Sequence, residues 1–474
     1  MNMAVNPLVP TQLQQILTSQ RSQYLANPAP SYQQRVDALN QLKSALLTFQ
    51  APLIEALSQD YGHRSADDSL ISDIMPVINN INYSLKNLKK WMKPSARHAG
   101  MLLAPAKVSV QYQPLGVIGI IVPWNFPVML SLGPLVTAIA AGNRAMLKLS
   151  EFTPATNKVL TELLTSVFDS KQVAVVEGEA DVAAEFSALP FDHLLFTGST
   201  TVGRHVMRAA ANNLTPVTLE LGGKSPVIVA PDMPLDVAVE RMIYGKCLNA
   251  GQICVAPDYV LCPKEKVDDF IKAYCDKFAT MYGKVNSNPD YGSIINQRQF
   301  DRLMAVLTDA NDKGAHITSA SDEVIDKQNR KLATQLVTGV SDDMLLMQEE
   351  VFGPILPIIG YDSLDDAIAY VNNRARPLAL YLLSFDKVTQ HAVLTRTHSG
   401  GVCINETVFH VAADDAPFGG IGPSGMGHYH GKEGFLTFSH AKTVLSRGRL
   451  NTGKLVHPPY GGIIQRLLIK FFLR

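Results

Sequence analysis

Cysteine is scarce. The 474-residue chain holds five (Cys247, Cys254, Cys262, Cys275 and Cys403), an odd number with no C-x-x-C or C-x-x-H pair among them. A closed disulfide framework and a zinc site of ordinary spacing are therefore not expected, nor is any metal, and a reducing, cytoplasmic setting is. A surplus of charge is missing too. Forty-two Lys+Arg balance 42 Asp+Glu, which argues against a surface built for a phosphate backbone, so no nucleic-acid partner is expected. No run reaches the roughly 18–20 apolar residues of a spanning helix. The opening MNMAVNPLVPTQLQQ lacks a basic segment followed by an apolar one, so no signal peptide is expected. Repeats and low-complexity tracts are absent. With 46% hydrophobic and 18% charged residues the chain is too apolar for disorder. At roughly 150 residues per domain its length predicts about three domains, or two large ones.

What is present is a change of periodicity. Leu13, Ile16 and Leu17, then Leu39, Leu42, Leu46 and Leu47, recur at helical spacing and predict helices across 9–60. Leu70, Ile74, Val77, Ile78, Leu85 and Leu88 extend the pattern over 68–92. From Val108 the texture turns β-branched and glycine-punctuated. LGVIGIIVPWNFP reads as a buried strand ending at Pro123, followed by a helix to about 141. The strand AMLKLS, a helix opened by Thr153-Pro154, the strand QVAVVEG, a further helix, the strand HLLFTGS and the helix TVGRHVMRAAAN come next. Such alternation predicts βαβ units and a parallel sheet with helices on both faces, its ligand crevice at the carboxyl ends of the strands. After Glu220 the alternation restarts with SPVIVA, DVAVERMIYGKCLNAG and DYVLCP, predicting a second α/β unit through 400. The glycine- and proline-rich stretch 417–434 predicts a compact loop shaped by its backbone.

Short segments carry the chemistry. NAGQICVAP (249–257) sets Cys254 in a polar, glycine-bearing turn where a thiol is accessible, whereas Cys247, Cys262 and Cys275 sit among apolar neighbours and read as core. LELGGKSP (219–226) places Glu220 between two leucines, a setting that raises a carboxyl pKa and suits a general base; the plainer reading is a salt bridge to Lys224. VPWNFP (122–127) holds Asn125 between two prolines, where a rigid amide can serve an oxyanion; the plainer reading is an ordinary turn. FTGSTTVG (196–203) offers amides at a helix start for a pyrophosphate, and LKLSE (147–151) puts Lys148 and Glu151 after a strand, within reach of ribose hydroxyls; the plainer reading is a solvated strand end. Tyr381, Phe409 and His410 are candidates for a substrate pocket, with ordinary packing as the alternative for each.

Taken together, PWNFP, LKLSE, FTGSTTVG, LELGGKSP, GQIC, QEEVFGP and PFGGIGPSGMG stand in the order and spacing of the aldehyde dehydrogenase superfamily, and the resemblance spans about residues 10–450. The ending SGMGHYHGKEGFLTFSH and the loop CVAPDYVL resemble its class 3 branch, and the whole chain is most similar to the bacterial coniferyl aldehyde dehydrogenases. The resemblance implies an α/β fold with a Rossmann-type dinucleotide-binding domain over 1–217 (including part of a bridging element near 90–112), a catalytic domain over 218–410, an active-site loop and bridging strand over 411–450, and a tail over 451–474. It further implies Cys254 as nucleophile, Glu220 as base and Asn125 with the Cys254 N–H as oxyanion hole. For the cofactor it implies Trp124, Lys148, Glu151, Gly198, Ser199, Gly203, Glu350 and Phe352. Relatives that pass the acyl group to coenzyme A tend to lack the glutamate, so Glu220 implies release of a free acid.

The expected cofactor is NAD, with NADP open because KLSE replaces the family's common KPSE. The expected substrate is an aromatic enal such as coniferaldehyde, with medium-chain aliphatic aldehydes second, and the expected assembly a homodimer. A cofactor-free thiol hydrolase and a catalytically silent binding protein are the rival readings. Lastly, GGIIQRLLIKFFLR places Arg466, Lys470 and Arg474 opposite Ile464, Leu468, Phe471 and Phe472. This basic amphipathic helix is expected to pack on the body or a partner subunit, with an anionic membrane surface as the alternative.

Overall fold

The computed structural model describes residues 11–473; MNMAVNPLVP and Arg474, the last basic residue of the tail helix, lie outside the described residues. The apolar run after Gly116 forms the strand Val117–Ile121, buried along its whole length as a central parallel strand must be. It pairs in parallel with Arg144–Lys148 on one side and His193–Gly198 on the other. Val173–Val176 and Val217–Leu221 extend the two flanks, and the short strand Gly425–Met426 closes one edge antiparallel to Leu219 and Glu220. Helices cover both faces. One face packs Leu39, Leu42, Leu53, Ile81, Leu132 and Leu160 from five helices; the other packs Leu13, Leu17, Phe186, Val206 and Ala210. The chain leaves Val117–Ile121 in one direction and returns in the other, so the order reverses between that strand and His193–Gly198. A crevice opens at such a reversal.

The second sheet has seven strands in the order His316–Ser319, Gln335–Thr338, Ile355–Tyr361, Tyr259–Pro263, Pro226–Val229, Ala379–Leu383 and Gly401–Ile404, parallel except for the first pair. Residues 222–225 link it to the first sheet directly. A third sheet, wholly antiparallel, joins Ser95–Arg97, Lys107–Pro114 and Ser439–Ser446.

The predicted helical region 9–60 resolves into Gln12–Ala26, Tyr32–Thr48 and Gln50–Tyr61, the first two opened by capping boxes at Thr11 and Ser31. The stretch over 66–91 widens into a π-helical turn at Leu70–Ile74. The tail helix forms without resting on its own chain's body. Ile463–Phe472 is helical, but none of its residues is buried, and its main contact is the neighbouring turn Thr452–Val456, so it does not pack on the body. Ile463, Leu467 and Phe471 are 79%, 62% and 59% exposed.

Candidate active site

The two sheets face each other across a cleft of about 690 Å³. The carboxyl ends of first-sheet strands supply Trp124, Asn125, Gly198, Ser199 and Glu220; turns leading into second-sheet strands supply Cys254, Glu350 and Phe352. The nucleophile candidate thus lies before a strand, and the crevice predicted for one sheet is shared by two. Lys148, Glu151 and Gly203 do not line this cleft. Lys148 and Glu151 form an ion pair of 3.2 Å at the end of Arg144–Lys148, farther along the same sheet edge. Gly203 is a buried residue of the helix Thr200–Ala211, where a Cβ would come within 2.6 Å of the Leu221 side chain. The missing side chain lets this helix approach the strand Val217–Leu221 closely.

Glu220 is 4% exposed, and neither carboxyl oxygen has a hydrogen-bond partner. Burial therefore pushes its pKa well above the usual carboxylate value. The alternative pairing with Lys224 does not form. Lys224 instead bonds Asp258, the Leu346 carbonyl at 2.6 Å and the Glu349 carbonyl at 3.0 Å. Asp258 in turn accepts the Val351 N–H at 2.8 Å, so this pair anchors the QEEVFGP segment. The 417–434 loop stands over Glu220: a Cβ on Gly419 would sit 3.3 Å from Glu220 Oε1, and one on Gly425 2.1 Å from the Leu219 carbonyl.

Cys254 is partly exposed, and its thiol pKa is raised by burial, then by the Glu350 and Glu220 carboxylates. Backbone N–H groups of Cys254 and Val255 act the other way, favouring the thiolate. The turn before it is unusual: Asn249, Ala250 and Gly251 all have positive φ (50°, 51° and 73°), conformations that non-glycine residues hold only under constraint. Gln252 supplies the constraint. Its Nε2 donates to Asn249 O (2.9 Å) and Ser293 O (3.1 Å), and its Oε1 accepts from Ile295 N (3.0 Å). Asn125, 4% exposed, donates its amide to Gln252 O at 3.2 Å, which joins the oxyanion candidate to the nucleophile turn.

Glu350 folds against Gly222, where any Cβ would fall 1.9 Å from its Oε2. Burial first, then the Asp258 carboxylate, raises its pKa to about 8. Trp124 and Phe352 meet edge to face at 5.2 Å. Ser199 caps the helix Thr200–Ala211, its Oγ accepting the Val202 N–H at 3.4 Å. Of the pocket candidates, Tyr381 is fully buried and donates to the Val255 carbonyl beside the nucleophile; Phe409 is half exposed and stacks on Tyr244 at 5.9 Å. His410 lies between the Tyr381 and Phe418 rings with both ring nitrogens buried and unpartnered. Sequence reasoning missed Asn249, Gln252, Lys224 and Asp258 as positioning groups. Only the strained turn and the charges inside apolar motifs could have signalled them.

Residues 10–444 match the model of the aldehyde dehydrogenase family. The chain is 56% identical to a probable coniferyl aldehyde dehydrogenase of Pseudomonas aeruginosa, over 98% of this chain and 97% of that one. It is 46% identical to the coniferyl aldehyde dehydrogenase of a Pseudomonas species, over 98% and 96%. Among solved structures, the substrate-bound state of Staphylococcus aureus AldH superposes with a TM-score of 0.93 at 38% identity, covering 98% of this chain and all of that one. A Mycobacterium tuberculosis aldehyde dehydrogenase complexed with NAD+ superposes at 0.83, with 28% identity and coverage of 92% and 90%.

Proposed function

Since the chain belongs to the aldehyde dehydrogenase family, we propose that Cys254, Glu220 and Asn125 carry out its NAD(P)-dependent oxidation of an aldehyde, releasing the free acid. The observation that carries this reading is the meeting of a thiol, an unpaired buried carboxyl and a rigid amide in one cleft. The lining of the cleft also suits a dinucleotide: beside Cys254 it includes the Trp124 and Phe352 rings and Gly198 and Ser199 at the start of a twelve-residue helix, where amides and the helix dipole favour phosphate. Trp124, Gly198, Ser199, Glu350 and Phe352 would hold it, with Lys148 and Glu151 farther along the edge. Bound nicotinamide supplies one thing, an acceptor for the hydride whose departure leaves a thioester on Cys254.

The remaining work belongs to the chain. The Cys254 thiolate adds to the carbonyl carbon, and the oxyanion rests against the Asn125 amide and the Cys254 N–H, a donor set of the kind worth about 3 kcal/mol per member. Glu220 then takes a proton from water, which attacks the thioester and frees the carboxylic acid and the thiol. An isolated carboxyl suits this step because it has no partner to surrender.

The substrate we infer is an aromatic enal such as coniferaldehyde, supported by the names of relatives aligned over nearly the full chain; medium-chain aliphatic aldehydes are the second class. A panel of both classes, assayed for nicotinamide reduction with NAD and NADP, tests the reading. The aromatic enals are expected to give the highest kcat/KM. Absence of reduction with every aldehyde and both nucleotides would refute the site assignment, and preference for aliphatic aldehydes would refute the substrate.

We also infer a homodimer formed through the third sheet, and contact of the tail helix with an anionic membrane surface. After Glu433 the sequence has no acidic residue, while Lys442, Arg447, Arg449, Lys454, Arg466, Lys470 and Arg474 are all basic. The exposed apolar residues of Ile463–Phe472 stand within that positive stretch. No helix among the described residues is long and apolar enough to cross a membrane.

A further inference from the structure

The Asn125 main-chain carbonyl is the hub of a buried network. Three donors converge on it: Tyr61 Oη at 2.9 Å, Asn249 Nδ2 at 3.1 Å and Arg64 Nη1 at 3.2 Å. Tyr61 Oη also lies 3.1 Å from the Trp124 carbonyl. A carbonyl oxygen has two lone pairs, so this one is saturated, and the bond from Arg64 is charge-assisted.

Arg64 itself is held through both terminal nitrogens, while its buried Nε has no hydrogen-bond partner. Its side chain is completely shielded from solvent, as is that of Asp73, 2.9 Å from Arg64 Nη2. The guanidinium lies 5.1 Å from the Tyr61 ring centroid and 4.9 Å from that of Phe126, and Nη2 also reaches Ser72 Oγ at 3.2 Å. Asp73 extends the grip past Asn125: its Oδ1 accepts the N–H groups of Val128 (3.1 Å) and Met129 (2.9 Å) in the first turn of the helix Pro127–Ala141. Ser72 and Asp73 sit in the π-helical turn Leu70–Ile74, a widening of the kind that recurs at functional sites. A fully buried ion pair adds little stability over well-packed apolar residues. Its presence under this one peptide therefore points to a demand for orientation.

We propose that Arg64 is a positioning residue of the oxyanion site: anchored by Asp73 and held between Tyr61 and Phe126, it fixes the Asn125 peptide so that the Asn125 amide keeps its place beside the Cys254 turn. The inference rests on the assignment of Asn125 as oxyanion donor, and it adds a residue outside every motif discussed above. Asn249 links the same carbonyl to the strained nucleophile turn, so the two halves of the site share one reference point.

A double-mutant cycle tests it, combining Arg64→Lys with Asn125→Ala in the full chain. Lysine keeps the charge opposite Asp73 and loses the planar fork. The readouts are kcat/KM for an oxidised aldehyde, the rate of Cys254 alkylation by iodoacetamide, which builds no oxyanion, and thermal unfolding. Arg64→Lys is expected to lower kcat/KM about tenfold or more, to leave alkylation unchanged, and to add no further loss in the Asn125→Ala background. Additive losses, a parallel fall in alkylation, or undiminished kcat/KM in Arg64→Lys would each overturn the proposal. If Asn125→Ala alone keeps full kcat/KM, the oxyanion assignment falls and takes this role with it, an outcome the single variants tell apart from failure at Arg64. Should Arg64→Lys not fold, Asp73→Asn, which frees Arg64 without removing it, enters the same cycle with the same expected results.

Discussion

An ionised carboxylate without a partner is expensive to bury, several kcal/mol after relaxation, so burial shifts Glu220 toward its protonated form. A protonated acid is no base. Turnover should therefore climb as pH rises above the ordinary carboxylate range, and the raised Cys254 pKa pushes the same way, since more thiolate forms with rising pH. The sign for stability is opposite: a folded-state pKa above the unfolded value means a contribution present at low pH and lost as pH rises through the folded pKa. Glu220→Gln separates the two effects. It should keep a single burst of reduced nicotinamide per active site, lose steady-state turnover by about 100-fold or more, and lose less stability on alkaline titration. Stopped-flow bursts and urea midpoints across pH read all three; a variant that still turns over would show that Glu220 is not the water-activating base. That Cys254, Glu220 and Asn125 line one cleft was legible because each lies in a short motif whose neighbours already imply its surroundings. The alternative reading, a salt bridge from Glu220 to Lys224, falls to something local proximity does not reveal: Asp258 captures that lysine across 34 positions. Arg64 and Asp73 left no local trace, since their meaning arises only where they converge on residue 125.

Elements were legible in proportion to how local their causes are. The alternation across 117–211 emerged nearly strand for strand, because buried parallel strands need continuous apolar runs and their helices need amphipathic ones. Pairing of Lys107–Pro114 with Ser439–Ser446 was not visible in the periodicity, since nothing in either strand encodes a partner so distant in sequence; only the family resemblance set both in a bridging element. The tail helix was read as amphipathic and as packed on the body or on a partner subunit; it forms, and its own chain leaves it uncovered, because periodicity reports that a face is apolar and does not say what covers it. Its exposure makes the membrane proposal testable. A chain ending at Ser446 should oxidise a water-soluble aldehyde as the full chain does, while losing sedimentation with vesicles containing anionic phosphatidylserine. Full-length protein should sediment with those vesicles and not with neutral phosphatidylcholine ones, and the binding should weaken as salt is raised. Equal sedimentation of both forms, or none of the full chain, would remove the membrane role.

The molecule as a whole sets two sheets against one cleft, and the third sheet keeps a long open edge. Ser439–Ser446 bonds Lys107–Pro114 along eight residues, and among the described residues no strand lies on its other side. An open edge of that length is a template for another strand, which proteins blunt, cover or use. Here it carries Lys442 as its only ionisable blunting charge besides His440, and exposed Leu445 lies on it. A second copy pairing edge to edge about a two-fold axis would satisfy those backbone groups and bury Leu445 on both chains. Light scattering should then report twice the 51.7 kDa chain mass. Thr443→Asp combined with Leu445→Asp places like charges on both copies along the shared edge, where facing like charges destabilise pairing. That variant should shift to the single-chain mass while its circular dichroism stays that of the parent. A parent already at single-chain mass across the concentrations used for assay would exclude the dimer, and a doubled mass unaffected by the two aspartates would move the interface to another surface.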